Sequence, residues 1–435
     1  MSIQWITLAK IGPFSVKLAY LALCFLLALA VVNSRVINGS IALIRQNIMW
    51  VAPYGLYLLM LSMALVGSPG QGIGPRQVLY LTCGLAFAGY LAVDARPGAL
   101  LRAGGAMGIL LFLAAVEVMA RQIGLSWTTA IGHFLATGDL NFIIYSFFRA
   151  VFNVLSPDGE VSVKAAEKNG VAVCILVAVL LFRAGHTRSR PDWLGIGITL
   201  VGLGLIVLLN TRSVLIVAVG SLLLASLLRS VTRNTTSLAG PVMKTAGFVA
   251  LAVLAVLFAG SDQAVFGTMS DRFAFEDAST EHRLAQYEWA MQQIEGNLLV
   301  GQGYADALGA VIHNLFLSAW VHAGLLAFLL VVVFYAVIAA EWIVLMWRVV
   351  QRPGRWVLPL PFEWVAVLPI MPLFRVWVSG DAGHLFLGEW IALLAFFGLH
   401  LRNRLAVREH AAQGHRDGPA AALLPVATPA TARFP

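Results

Sequence analysis

Long runs of apolar residues, separated by short polar connections, occupy most of this chain. A helix needs about 20 mostly apolar residues to cross the hydrocarbon core of a bilayer. A further apolar segment at 140–155 is either an interfacial helix or one more span. We therefore predict an all-α, polytopic integral membrane protein with 11 or 12 transmembrane helices. The predicted spans lie near 14–32, 48–66, 77–93, 103–120, 169–184, 193–209, 213–229, 243–260, 323–347, 362–379 and 384–401.

The composition excludes a soluble globular protein. Apolar residues make up 60% of the 435 residues and charged residues only 11%, whereas a soluble domain carries about 25% charged residues. Much of the formal charge of +8 lies in short loops between spans, where Lys and Arg set orientation and contact anionic lipid. Membrane lipids are therefore expected partners, and nucleic acid is not.

Metal-binding side chains do not occur at the spacings of known metal sites. The three cysteines lie in separate apolar runs, and the chain has no HExxH or CxxC motif. We therefore expect neither a metal site nor a cofactor.

Four basic clusters indicate the orientation of the later spans. They lie at 183–190, 229–244, 348–355 and 402–408, and two predicted spans separate each cluster from the next. All four then lie on one side, which the positive-inside rule makes the cytoplasm, together with the C-terminus. The orientation of the first four spans stays open, because it depends on whether 140–155 crosses the membrane.

We predict four regions along the chain. Residues 1–260 form an N-terminal transmembrane bundle, and 261–312 form a long periplasmic loop containing amphipathic helices. Residues 313–401 form C-terminal transmembrane helices, and 402–435, rich in Ala and Pro towards the end, form a disordered cytoplasmic tail. Within the loop, 280–295 has helical apolar periodicity at Leu284, Tyr287, Met291 and Ile294.

Ionisable residues gather on the side opposite the basic clusters: Arg212, Arg283, His313, Arg375 and Asp381. Arginine side chains match the geometry of phosphate groups, and a histidine can deprotonate a hydroxyl near neutral pH. Each residue alone also has an ordinary structural explanation, such as an arginine that extends to the membrane surface. Together they predict a transferase that acts on a lipid-linked diphosphate, with the diphosphate as leaving group.

An ordered set of motifs resembles the O-antigen ligase and O-antigen polymerase superfamily, over about 210–330. The set consists of Thr211-Arg212-Ser213, Arg283 with Trp289, Gly301-Gln302-Gly303-Tyr304, and His313-Asn314 followed by Phe316, Leu317 and Gly324. This resemblance implies a metal-independent inverting glycosyltransferase of the bacterial inner membrane with a periplasmic active site. The enzyme would move a glycan from undecaprenyl diphosphate to an acceptor hydroxyl, which for a ligase belongs to lipid A-core.

The resemblance also implies roles for individual residues. His313 corresponds to the general base, and Arg212 and Arg283 correspond to the clamp on the donor diphosphate. Arg149, Asn314, Arg375 and Asp381 are candidate supporting residues.

Two residues depart from the family pattern. Leu298 stands where a proline usually precedes the glycine turn, and His322 stands where a glutamate is common. The motifs do not separate a ligase from a polymerase, although the compact loop and the chain length favour the ligase. The alternative from a different class is a secondary transporter or a flippase for a lipid-linked glycan.

Overall fold

The structure is a computed structural model, and the prediction of an all-α fold is confirmed. Apart from a short antiparallel hairpin of β1 (Thr7–Ile11) and β2 (Phe14–Lys17), the elements of the described residues are helical. The model describes residues 7–11, 14–17, 24, 27–28, 31–64, 66, 73–94, 96–139, 142–148, 150–151, 161–186, 192–209, 211–232, 278–303, 312, 314–379 and 385–416.

The α-helices of these ranges are numbered here in chain order. They are α1 (Ser34–Gln46), α2 (Ile48–Ala64), α3 (Ile73–Val93), α4 (Pro97–Gln122), α5 (Trp127–Thr137), α6 (Val161–Ala184), α7 (Trp193–Leu208), α8 (Arg212–Thr232), α9 (Ala278–Gly296), α10 (Leu315–Gln351), α11 (Phe362–Ala366), α12 (Ile370–Ser379) and α13 (Leu387–Arg416). A π-helical segment at Phe142–Phe147 and a 3-10 turn at Pro353–Arg355 complete the set.

The protein is a multi-pass membrane protein. Among the described residues, α3, α4, α8, α10 and α13 are long and apolar enough to cross a bilayer. They coincide with the predicted spans near 77–93, 103–120, 213–229, 323–347 and 384–401. The pair α1 and α2, bent by 94° between them, makes a sixth candidate if it counts as one broken span. Two predicted spans, near 169–184 and 193–209, correspond to shorter apolar helices.

Three predictions differ from the structure, and one lies outside it. The span near 14–32 is wrong at its beginning, because Phe14–Lys17 alternates apolar and polar residues and pairs as a strand. The span near 362–379 is two short helices, because Pro369 cannot supply the backbone N–H that a continuous helix requires. The last helix continues beyond 401 to Arg416. The predicted span near 243–260 falls outside the described residues.

Helix α6 lies at the centre of the bundle. Every residue from Val171 to Phe182 is at most 3% exposed, so the helix is surrounded by protein on all sides. A helix that is apolar all round belongs in such a position. Small residues allow its neighbour α4 to approach closely, since a side chain on Gly105 would lie 2.4 Å from the carbonyl oxygen of Ala178.

The basic connections meet at one end of the bundle, here called the basic end. Gly98, at the start of α4, lies against the backbone of Gly185 and the side chain of Leu360. The Asn403 side chain accepts a hydrogen bond from the Val357 N–H at 2.8 Å and donates one to the Arg355 carbonyl at 2.7 Å. These contacts join the regions after α6, after α10 and within α13.

The remaining basic cluster, 229–244, also begins at the basic end. Arg229 is close enough to Arg183 for their charges to interact. The four clusters predicted to share one side are therefore brought to one end of the bundle, as far as the structure describes them. We call the opposite end the far end.

The segment between α4 and α6 begins and ends at the same end of the bundle. Helices α4 and α6 pack antiparallel, with Gly98 beside Gly185, so both ends of this segment lie at the far end. A single crossing would separate these ends. The π-helical segment packs instead against α5, with the rings of Trp127 and Phe147 5.1 Å apart. The described residues of 140–155, 142–148 and 150–151, thus favour the interfacial alternative over a twelfth span.

This topology predicts which exposed positions share a side. Cysteines introduced at Arg96 and Arg355, in a background without the native cysteines, should react with a membrane-impermeant thiol reagent from one side only. Cysteines at Gln122 and Gln302 should react from the other side. Labelling of intact cells before and after permeabilisation measures this, and reaction of Gln122→Cys from the same side as Arg355→Cys would contradict the topology.

Candidate functional site

Helix α9, which carries Arg283, packs on the first turns of α10 at the far end. Ala290 and Ile294 of α9 are buried against Ile312 and Val321. Gln286 is also buried, so the contact follows every fourth residue of α9. The small Ala290 side chain allows the close approach of the two helices.

The apolar residues of the predicted amphipathic helix divide between two faces of α9. Leu284 and Met291 are 56% and 47% exposed. Ile294 is buried, and Tyr287 packs at the edge of the contact. Sequence periodicity finds apolar positions, but the contact with α10 decides which positions are covered.

Helix α10 is broken at Gly324. This residue has φ 86° and ψ 178° inside the helix, a conformation that is essentially restricted to glycine. The break separates a short amino-terminal part, 315–323, from the long membrane-spanning part. We call residues 315–323 the half-helix.

Residues 297–303, here called the strap, cross the helix at this break. The N–H of Gln302 donates to the Val321 carbonyl at 2.7 Å, and that of Gly303 donates to the His322 carbonyl at 3.1 Å. In an unbroken helix, these two carbonyls would accept from residues 325 and 326. The strap therefore satisfies acceptors that the break releases.

Glycines are required where the backbone of the strap approaches the backbone of α10. A side chain on Gly301 would lie 2.3 Å from the carbonyl carbon of His322, and one on Gly324 would lie 2.4 Å from the carbonyl oxygen of Leu299. Gly303 has a positive φ of 72°. The Gly-x-Gly motif and Gly324 thus lie on opposite sides of the same backbone contact, between the strap and the broken helix.

Asn314 caps the half-helix. Its side-chain oxygen accepts from the N–H groups of Phe316 at 2.9 Å and Leu317 at 3.1 Å. This is the usual role of an asparagine at a helix start. The preceding residue, His313, lies outside the described residues.

His322 is buried inside the half-helix. Its Nδ1 lies 2.7 Å from the Ser318 carbonyl oxygen and 3.1 Å from the Ser318 hydroxyl. A carbonyl only accepts, so Nδ1 carries the proton and donates to it. The histidine at the position of the family's common glutamate is therefore bonded within its own helix.

Arg283 lies partly buried near the start of α9, one turn before Tyr287. Burial raises the pKa of the Tyr287 phenol, and the positive charge of Arg283 partly opposes this rise. The guanidinium is thus within electrostatic reach of the α9–α10 contact. An anion bound here would meet this cation close to the start of a helix, where negative charge is favoured.

Arg375 forms a fully buried ion pair with Glu389 of α13. Its Nε and Nη2 donate to the two carboxylate oxygens at 2.5 and 2.8 Å, and the side chains are 1% and 0% exposed. The Phe386 N–H donates to the same carboxylate at 2.7 Å, and the Phe386 ring lies 4.4 Å from the guanidinium carbon. One edge of the Arg375 guanidinium is therefore committed to Glu389.

A second buried polar contact joins α3 to α13 nearby. The Gln77 side chain accepts from the Trp390 indole at 3.0 Å and donates to the Leu385 carbonyl at 2.9 Å. Sequence reasoning did not identify Glu389 or Gln77. The available signal for Glu389 was that an acidic residue inside an apolar span is energetically costly unless it has a partner.

The remaining predicted site residues are only partly described. Arg212 is the first residue of α8, which contacts both α10 and α12. Helices bearing Arg212, Arg283, Asn314 and Arg375 therefore form one contacting group. The positions of Arg149, His313 and Asp381 lie outside the described residues. Among the described residues, no group of three or more His, Cys, Asp or Glu side chains is placed to hold a metal ion.

Alanine at Gly324 should release the strap. The added methyl group would meet the Leu299 carbonyl, and the required φ and ψ cost a non-glycine residue about 1–3 kcal/mol. The amides of Gln302 and Gly303 should then lose hydrogen-exchange protection, measured by mass spectrometry. Gly354→Ala is the matched control, because a side chain there meets no atom within 4 Å. Unchanged protection in Gly324→Ala would contradict the docking.

The Arg375–Glu389 pair should show a characteristic pattern of stability. Removing one partner leaves a buried charge unpaired and costs about 3–5 kcal/mol, whereas replacing both by apolar residues is often neutral. Arg375→Met and Glu389→Leu should each lower the thermal unfolding temperature in detergent, and the double variant should recover most of the loss. Equal and additive losses would contradict a direct pair.

No protein-family model matches the chain, and no curated protein shows significant similarity to it. The resemblance to the O-antigen ligase and polymerase superfamily therefore rests on the ordered sequence motifs alone.

Proposed function

We propose that the protein is a metal-independent inverting glycosyltransferase that uses a polyprenyl-diphosphate-linked donor. In this proposal it is an O-antigen ligase, transferring glycan from undecaprenyl diphosphate to a hydroxyl of lipid A-core. The contact between the strap and the broken helix carries the proposal. It seats the helix of Arg283 on the half-helix that begins directly after His313 and Asn314.

The proposed donor site uses two arginines from different elements. Arg212 is the first residue of α8. Helix α8 contacts α10, and α9, which carries Arg283, packs on α10 as well. Two arginines from separate helices suit a diphosphate, because each guanidinium can bind phosphate oxygens with two hydrogen bonds. The undecaprenyl chain would lie between spans, with the glycan projecting away from the membrane.

The proposed reaction is a single displacement. His313 takes the proton from the acceptor hydroxyl while its oxygen forms a bond to the anomeric carbon. The bond from that carbon to the diphosphate oxygen breaks on the opposite face, and undecaprenyl diphosphate leaves with the electron pair. Arg212 and Arg283 stabilise the developing charge, a contribution of about 3 kcal/mol per hydrogen-bond donor.

Arg375 takes an indirect role in this proposal. Its pairing with Glu389 ties the end of α12 to the start of α13, and the intervening 380–384 include Asp381. The pair would therefore position Asp381 near the site. Arg375 itself is not part of the proposed diphosphate clamp.

The proposed location is the bacterial inner membrane. The basic end, where the four basic clusters meet, corresponds to the cytoplasm under the positive-inside rule. The C-terminus would then be cytoplasmic, and the far end with Arg283 and Asn314 would face the periplasm. Donor and lipid A-core acceptor would both reach the site from the outer leaflet of that membrane.

Two other functions remain as alternatives. An O-antigen polymerase would use the same residues with a lipid-linked glycan as acceptor. A secondary transporter or lipid-linked glycan flippase is favoured by one observation, the fully buried charges of Arg375 and Glu389 within the bundle. Ionisable residues inside spans often mark transport pathways.

A transfer assay tests the proposal directly. Purified protein in liposomes, supplied with undecaprenyl-diphosphate glycan and lipid A-core in EDTA, should yield glycosylated lipid A-core. His313→Ala should lower the rate by about 10²–10⁴-fold, because the general base is lost. Arg283→Lys should lower it by about 10²-fold, because lysine keeps the charge but loses the two-pronged geometry.

Matched substitutions at the basic end serve as controls. His410→Ala and Arg408→Lys should leave the rate unchanged, since both residues are exposed on the last helix, far from α9. Extension of the lipid-linked glycan instead would indicate the polymerase. Movement of intact donor across the bilayer, without transfer by a folded protein, would indicate the flippase and contradict the proposal.

A further inference from the structure

The strap exposes three consecutive apolar side chains. Leu298, Leu299 and Val300 are 53%, 70% and 75% exposed. No charged residue occurs between Gly296 and Gly303. A loop tip facing water would rarely keep such a run uncovered, because contiguous exposed apolar surface marks contact with a partner or a membrane.

The strap lies against the edge of the transmembrane part of α10. The Leu299 carbonyl contacts Gly324, where the spanning part of the helix begins. The Trp320 indole N–H donates to the Leu298 carbonyl at 2.9 Å, and its ring lies 4.6 Å from that of Phe328. Tryptophan is enriched at the boundary between hydrocarbon and water, where its ring is covered and its N–H is bonded.

The exposed side chains of the strap continue the lipid-facing surface of α10. Directly beyond Gly324, Leu326 and Leu329 are 52% and 47% exposed on a helix that spans the membrane. We infer that Leu298, Leu299 and Val300 insert into the bilayer at the far end and are covered by lipid acyl chains. The strap then anchors the loop to the membrane as well as to the helix.

The charges of α9 agree with this placement. Glu288 and Glu295 are exposed, and both precede the apolar run. The chain therefore passes from a helix whose exposed face mixes these charges with Leu284 and Met291 into an uncharged segment at the helix break. This anchoring would hold α9 at the level of the lipid headgroups, whatever reaction the protein catalyses.

Depth measurements on spin-labelled protein test the inference. The full chain, with its native cysteines replaced by serine, carries a nitroxide on Leu299→Cys and is reconstituted in phosphatidylethanolamine–phosphatidylglycerol liposomes. Collision rates with oxygen, which concentrates in the bilayer, are compared with those of a water-soluble nickel chelate. Leu326→Cys is the lipid-facing control, and Glu288→Cys is the water-facing control.

The label at Leu299 should match that at Leu326, with an oxygen-to-nickel ratio several-fold above that at Glu288. A ratio like that of Glu288 would place the strap in water and overturn the inference. Low collision rates with both reagents would indicate cover by protein and would overturn it equally. Val300→Cys repeats the test if Leu299→Cys does not fold, and neither measurement depends on transfer activity.

Discussion

The backbone contact between the strap and the broken helix is the constraint on which the far end depends. Unpaired backbone groups are costly inside a membrane, so a helix can be interrupted there only if another segment supplies the missing partners. The strap supplies two N–H groups at the break at Gly324. Because of the break, the half-helix need not continue the axis of the membrane-spanning part of α10, and α9 packs on it. One contact thus orients both the Arg283 helix and the residues that begin α10.

Buried polar groups perform a comparable role deeper in the bundle. Arg375 and Glu389 join α12 to α13, and Gln77 joins α3 to α13. Such contacts add little net stability over apolar packing, but they are directional and penalise any register that leaves them unpaired. They connect the ends of helices whose apolar surfaces would otherwise pack in several registers. The proposed supporting segment at 380–384 lies between two of these anchored helices.

The sequence identified some residues at the far end correctly but missed the contacts that fix others. Asn314 was recognised beside a histidine at the mouth of an apolar helix, and its capping role follows from local chain geometry. The helical period of α9 was recognised, but it does not show that Ile294 packs on α10 while Leu284 and Met291 lie away from it. Arg375 was assigned to the outer surface, whereas its partner Glu389 lies on another helix. Pairing between distant segments leaves no trace in local periodicity.

The sequence by itself determined the membrane class, five of the eleven predicted spans and the grouping of the basic clusters. These properties depend on composition and on local hydrophobic length, which each segment carries independently of its neighbours. Only the tertiary structure decided that α4 and α6 pack antiparallel, that Gly324 breaks α10, and that the strap supplies hydrogen-bond donors at the break. Those outcomes depend on contacts between separate segments of the chain. The conformation of each segment is stable only when the other segment supplies its packing surface or its hydrogen-bond partners.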